Sequence, residues 1–291
     1  MKLINQTDVL STRFGDADAV RILCNCGFDA VDYSMFAMSE DDSLLNTPAY
    51  KKHVRTLRAI AESYGKSFAQ AHAPFPCARD GDDDYNEKMF PRVVRALEIT
   101  GMLDAKICVV HPVVFKKYQM ERNLEFYGML EPYAKKFGVK IALENMWGWK
   151  EGPGGGRIVP NVCSVAQEFN AYIDALDPKY FTACLDLGHC GLVGEDAADM
   201  IRAMGRDRIG CLHVHDNDFI HDSHTIPFTM NMEWDRILRA LGEIDYQGQF
   251  TFEADNFLRG FPNDLIPACE TFMERIGRAM IKRIERCRKP V

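Results

Sequence analysis

The sequence predicts a closed barrel of eight parallel strands wrapped by helices, a (β/α)₈ TIM barrel of the α/β class, spanning residues 1–291 as a single domain. Three observations predict it. The length of 291 residues suits a fold that needs about 250. One phrase recurs along the chain: a short apolar run, polar residues, then an amphipathic stretch closed by glycine or a turn. Alternation of that kind implies parallel strands joined by helical crossovers. Finally, the glycine-rich turn of a doubly wound nucleotide-binding sheet is missing. The first strand runs into Gln6-Thr7-Asp8, and neither GxGxxG nor GxxxxGK[ST] occurs. The glycine cluster at 152–156 lies mid-chain and opens no helix.

In chain order, residues 2–5 form the first strand and 16–26 the first helix, closed by Gly27. Strand 30–33 leads to helix 50–64, strand 67–71 to helix 86–103, and strand 107–110 to helix 124–137. The second half repeats the pattern: strand 140–143 with helix 162–175, 182–185 with 197–204, 209–214 with 234–241, and 249–252 with 265–286. The strand runs are too apolar for one side to face water, as expected when both sides are covered. No linker or low-complexity tract divides the eight units.

Composition narrows the function. With 47% hydrophobic and 26% charged residues, the chain is globular. A net charge of −7 argues against a protein that grips phosphate backbones, which needs a basic face; no nucleic-acid partner is expected. The ten cysteines form no CxxC pair, and several, such as Cys108, Cys184 and Cys211, sit in apolar runs. They read as reduced, buried thiols of a cytoplasmic protein. The start MKLINQTDVL lacks a signal-peptide core, and no apolar run reaches the roughly 20 residues of a membrane helix, so no membrane partner is expected.

In such a barrel the active site lies at the C-terminal ends of the strands, so the residue types there decide the chemistry. The third strand ends in His72, the fourth in His111, and the fifth in Glu144. The sixth ends in Asp186 with His189 following, the seventh in His213, His215 and Asp216, and the eighth in Glu253. Asp222 and His224 follow in the loop after the seventh strand. Taken singly, each is a structural histidine or a helix cap. Together they are costly to bury without compensating charge, and a divalent cation compensates most simply.

The order HAP at 72, HP at 111, LEN at 143, LDLGH at 185, HVHDND at 213, DSHTIP at 222 and FEAD at 252 resembles the xylose-isomerase-like barrel superfamily. That superfamily includes sugar isomerases, ketose 3-epimerases, inosose dehydratases and endonuclease IV enzymes. The resemblance covers nearly the whole chain and implies a metal site of Glu144, Asp186, His215 and Glu253. His215, which directly precedes Asp216-Asn217-Asp218, matches the ligand position; His213, on the same strand face, is its rival. One imidazole and three carboxylates suit Mn²⁺, Mg²⁺ or Co²⁺.

The implied activity is that of a metal-dependent isomerase or epimerase acting on a small-molecule sugar or sugar phosphate. Glu144 and Glu253 are the catalytic pair, passing a proton through a metal-stabilised enediolate. His72, His111, His189, His224 and Trp147 are expected to bind substrate. A second reading stays open. Endonuclease IV resembles the chain at His72, His111, Glu144, Asp186, His189, His215, Asp222, His224 and Glu253. In that reading His72, His111, His189, Asp222 and His224 are additional ligands of a trinuclear Zn²⁺ phosphodiesterase. Lyase chemistry like that of inosose dehydratase is a third.

Two loops depart from the ketose 3-epimerase pattern. After the fifth strand, Trp147 or Trp149 is expected to act as a lid, Lys150 or Arg157 to meet an anion, and Glu151 stands one position off the spacing of a substrate-binding glutamate. After the seventh, Phe228 stands where glycine is usual. Residues 79–84 read as a solvated polar turn, and the basic run 275–289 as a solvated final helix. Barrels of this kind often pair, so homo-oligomerisation is an expectation.

Overall fold

A computed structural model describes residues 1–152 and 155–288. Pro153 and Gly154 of the glycine cluster and Lys289 of the basic run lie outside the described residues. Eight parallel strands close into a barrel: β1 (Lys2–Gln6), β2 (Ala30–Ser34), β3 (Ser67–His72), β4 (Ile107–Val109), β5 (Lys140–Glu144), β8 (Phe181–Asp186), β9 (Ile209–Val214) and β10 (Gln249–Phe252). Each pairs with its sequence neighbour in the barrel, and β1 closes the ring on β10 through Lys2↔Gln249 to Asn5↔Phe252. The remaining two strands, β6 (Trp147–Lys150) and β7 (Arg157–Pro160), form an antiparallel hairpin.

The helices are α1 (Asp8–Phe14), α2 (Asp16–Cys26), α3 (Tyr50–Ser63), α4 (Asp83–Met102) and α5 (Gln119–Phe137), then α6 (Ala166–Ala175), α7 (Leu187–Leu192), α8 (Ala197–Met204), α9 (Trp234–Glu243) and α10 (Ile266–Arg286). The expected strands agree to within one or two residues. Two short helices, α1 and α7, and the hairpin are additions. Helix α1 has only Val9 and Leu10 buried, too few turns for a periodic signal. It is separated from α2 by Gly15, whose φ of 78° and ψ of 156° suit only glycine.

Side chains on a strand point alternately to its two sides, and this sorts the molecule. Leu3, Ile141, Leu143, Leu185, Leu212, Val214, Phe250 and Phe252 point outward into the core under the helices. Inward-facing Ile107, Val109, Ala142, Cys184 and Cys211 pack together inside the barrel. Ile4, Ala30 and Ala69 form a second interior cluster. These apolar plugs fill the barrel interior, so polar inward positions gather at the C-terminal mouth. Nine of the ten cysteines are buried and none forms a disulfide. Among the described residues no helix is long and apolar enough to cross a membrane.

Candidate active site

The same alternation aims the chemistry at one point. With Ala142, Cys184 and Cys211 facing the axis, Glu144, Asp186, His213 and His215 follow two or four residues on and face it too. Register levels them: Asp186 lies opposite His213, and His213 opposite Thr251. Glu144, Asp186, His213, His215 and Glu253 are all buried. Helix α7 starts at once after β8, with the Asp186 carboxylate accepting from His189 N at 2.7 Å as its cap. Gly188 permits this, because a Cβ there would sit 2.0 Å from His215 Cε1.

Five groups of metal-capable side chains result among the described residues, and three of them together hold all the histidine and carboxylate candidates. His72, His111 and Glu144 form the first, Glu144, Asp186, His213 and Glu253 the second, and His189, His215, Asp222 and His224 the third. Glu144 links the first two: its Oε2 is 3.0 Å from His111 Nε2, and its Oε1 is 3.2 Å from His213 Nδ1. Glu253 Oε2 is 2.9 Å from the same His213 nitrogen, so the two glutamates flank one imidazole edge. Asp186 links the second and third groups, with His215 Nε2 at 3.0 and 3.2 Å from its two oxygens. His224 Nε2 is 3.1 Å from Asp222 Oδ2.

All nine expected positions are therefore brought to one mouth, with one difference in grouping. His213 joins Glu144, Asp186 and Glu253, whereas His215 stands on the far side of Asp186 with the third group. The two histidines share a strand face but lie one layer apart along it, and that offset decides which carboxylates each reaches. Sequence order alone could not rank those layers.

Burial opposes charge here, and mutual pairing outweighs it at Glu144, Glu253, His189, His213 and His224. Despite its burial, Glu144 is held well below the usual carboxylate range by His213 and His111, and Glu253 is lowered by His213 and His224. His213 is raised well above the ordinary imidazole value by Glu253 and Glu144 against its burial. His224 is likewise pushed up to about 10 by Asp222. His111 goes the other way, lowered because burial outweighs Glu144. Several buried atoms still lack a hydrogen-bond partner: Glu144 Oε2, Asp222 Oδ1 and His215 Nδ1. Oxygen and nitrogen donors of this kind, buried and incompletely satisfied, fit a divalent cation.

Supporting residues went unassigned in the sequence. Gln6 Nε2 donates to Glu253 Oε1 at 2.8 Å. Gln70 touches His213 Nε2 at 3.1 Å, Asp32 Oδ2 at 3.0 Å and Thr251 Oγ1 at 3.0 Å. Asn145 Oδ1 accepts from Asp186 N at 2.7 Å, and its backbone oxygen meets His189 Nδ1 at 2.8 Å. The available signal was a polar residue at an inward strand position, which Gln6 shows; Gln70 faces inward beside Ala69 because the β2–β3 register shifts there.

Asp216 organises the following loop. Its Oδ1 accepts from Asn217 N and Met232 N, and its Oδ2 from Thr229 N, Met230 N and the Trp234 indole, all at 2.9–3.2 Å. This loop carries Asp222 and His224. Phe228 in it adopts φ 73°, and Phe219 and His224 also have positive φ. The aromatic residue thus takes the left-handed backbone that glycine would adopt without strain.

A cavity of about 380 Å³ opens over the cluster, walled by Phe36, Phe75, Met146 and Trp147 and rimmed by Asp8 and Arg259. Trp147 Nε1 donates to Asp222 Oδ2 at 3.0 Å, which fixes the hairpin base against the mouth. Trp149 is 56% exposed and bonds Glu151 at 2.7 Å. Lys150 faces Arg157 across the hairpin. None of these four lines the cavity, whereas Trp147 does.

A family model described as xylose isomerase-like TIM barrel matches residues 20–268. The chain belongs to the xylose isomerase-like TIM barrel family. Its relatives include the uncharacterized protein MJ1311 of Methanocaldococcus jannaschii, 26% identical over 70% of each chain. Another is the uncharacterized protein ML2432 of Mycobacterium leprae, 22% identical over 78% of this chain and 79% of that one. Among solved structures, a D-tagatose 3-epimerase-like protein superposes with a TM-score of 0.74 at 19% identity, covering 98% of this chain and 99% of that chain. D-allulose 3-epimerase from Methylomonas sp. gives 0.72 at 17% identity, covering 98% of both chains. The E. coli 3-keto-D-glucoside 4-epimerase YcjR gives 0.70 at 16% identity, over 96% and 99%. At these identities the likeness is one of fold, and this family barrel carries its acidic and imidazole residues at the mouth.

Proposed function

We propose that this barrel is a divalent-metal-dependent isomerase or epimerase of a small sugar. The observation that carries the reading is the opposed pair of buried carboxylates. Glu144 and Glu253 both reach the same His213 nitrogen, at 3.2 and 2.9 Å, and both are held ionised. Two ionised bases facing each other across a small gap can take a proton from one face of a carbon and return one to the other. Glu144, Asp186 and Glu253 are the carboxylate ligands, with His215 or His213 as the imidazole. When bound, the divalent ion supplies charge that acidifies a C–H next to a carbonyl.

The remaining steps belong to the chain. One glutamate removes the proton at C3 of a ketose and leaves an enediolate; the other delivers a proton to the opposite face. His189 and His224 are held in the charged form by Asp222 and their neighbours and donate to substrate hydroxyls. His72 and His111 line the opposite wall beneath Phe75. Trp147 covers the sugar. That the structural neighbours include ketose 3-epimerases supports the assignment of substrate class.

A second reading, a trinuclear phosphodiesterase, draws support from the three ligand groups. The rim argues against it. Among the described lining residues Arg259 is the one lysine or arginine, a poor match to a polyanion. The same rim favours an uncharged sugar over a phosphorylated one.

Metal content by elemental mass spectrometry, with His224→Ala in parallel, tests the choice. The proposal expects about one divalent ion per chain, unaffected by the substitution, and ketose C3–H exchange in D₂O. That exchange should fall by roughly 10²–10⁴-fold in Glu144→Gln and Glu253→Gln. About three zinc ions, reduced by His224→Ala, with phosphodiester cleavage and no exchange, would sink it.

A further inference from the structure

A second cavity adjoins the site and plays no part in the chemistry above. It measures about 500 Å³ and shares Phe75, His111, Met146 and Trp147 with the site cavity of about 380 Å³. Its far wall comes from the loops after β3 and β4, with Ala78, Arg79, Val114 and Lys116, and from Asn161 beyond the hairpin. Each chamber alone falls within the roughly 300–1,000 Å³ of a complete ligand pocket. A single hexose over the carboxylates therefore leaves the second chamber free.

We propose that the second chamber is a subsite for a glycosyl group, so that the substrate is a ketose glycosylated at the end away from its reacting carbons. This rests on the proton-transfer reading of Glu144 and Glu253. The boundary between the chambers is aromatic and fixed. Phe75 is 40% exposed, yet its ring stacks on His111 at 4.8 Å and meets Phe36 edge-on at 4.8 Å. Trp147 is held by its bond to Asp222. Such rings offer apolar faces to the C–H faces of a pyranose without losing side-chain freedom on binding.

Beyond them the wall is largely apolar, with Arg79, Asp80, Lys116 and Asn161 as its polar groups. Asp80 is engaged by Arg122 and by Lys116 N. Arg79 lies over the Tyr85 ring at 3.9 Å and pairs with Asp82 at 3.7 Å. Arg79, Lys116 and Asn161 offer hydrogen-bond donors to hydroxyls. The chemistry sets the linkage. The ketose must open to expose its carbonyl, so its anomeric carbon stays free and the glycosyl group sits on O4 to O6. The glycosidic bond neither forms nor breaks; the proton taken by one glutamate is replaced from the other.

The test uses the purified, metal-loaded protein and follows C3–H exchange in D₂O by NMR. D-fructose is compared with lactulose, glycosylated on O4, and isomaltulose, glycosylated on O6. The subsite predicts kcat/KM at least tenfold higher for one of the disaccharides than for D-fructose. In Val114→Trp, which fills the chamber from a position 56% exposed and whose melting curve checks folding, that ratio should fall at least tenfold. Exchange at equal efficiency for all three sugars, or preference for D-fructose 6-phosphate, overturns the subsite and leaves the isomerase reading standing. Exchange with no sugar while metal is bound overturns both.

Discussion

At the scale of single residues, the loop that carries Asp222 and His224 is held by a carboxylate, Asp216, that does not line the cavity. Asp216 accepts five hydrogen bonds, four from backbone N–H groups of its own loop and one from Trp234. It faces a loop with three non-glycine residues at positive φ, Phe219, His224 and Phe228. Each such residue costs about 1–3 kcal/mol unless its surroundings hold it. Asp216 is what holds them. Asp216→Ala should leave several buried donors unpaired and cost about 3 kcal/mol or more, read as a lower urea midpoint. Asp216→Asn, which turns an amide N–H₂ toward other donors, should recover little of it. A loss below about 0.5 kcal/mol in both variants would mean the loop is held by something else. The sequence marks Asp216 as a strand-end residue without a role, because four of its five partners lie 13 to 18 residues downstream in a segment without periodicity.

Among elements, the hairpin is where pattern reading fell furthest short. The stretch from Trp147 reads as a glycine-rich loop, since its two strands are four residues each and only half-buried. The structure makes it a wall of the cavity with its two tryptophans in different settings. Trp147 lines the site and donates to Asp222, while Trp149 is exposed and donates to Glu151. The difference has an optical consequence in a protein with three tryptophans. Occupation of the cavity by sugar or of the Asp222 group by metal should change the intrinsic fluorescence. Trp147→Phe should abolish most of that change, and Trp149→Phe should leave it intact. A signal that disappears only with Trp149 would place the binding event outside the cavity.

For the molecule as a whole, the barrel was legible because it is written redundantly: eight short apolar runs, each followed by an amphipathic helix, with the chemistry at the run ends. Which strand-end residues meet was less legible. His213 and His215 carry the same residue type on the same face, and only the stagger of β9 against β8 and β10 separates their layers. The cluster they belong to also sets how the fold depends on metal. Glu144, Glu253 and Asp222 are held ionised and His189, His213 and His224 protonated by one another, so much of the mouth's charge is paired without an ion. The barrel's apolar cores are separate from it. A chelator should therefore lower the melting temperature without unfolding the chain, unlike a metal-nucleated domain. An ion at a hundred times its Kd adds about 2.7 kcal/mol, or roughly 4–5 °C for a chain of this size. Binding must displace protons from imidazoles whose affinity for them is raised, so the apparent metal affinity should strengthen as pH rises from 6 to 8 and protons should be released on titration. Calorimetry in two buffers of different ionisation enthalpy counts those protons. Unfolding on chelation would make the metal structural, and an unchanged melting temperature with no proton release would mean that the cluster binds none.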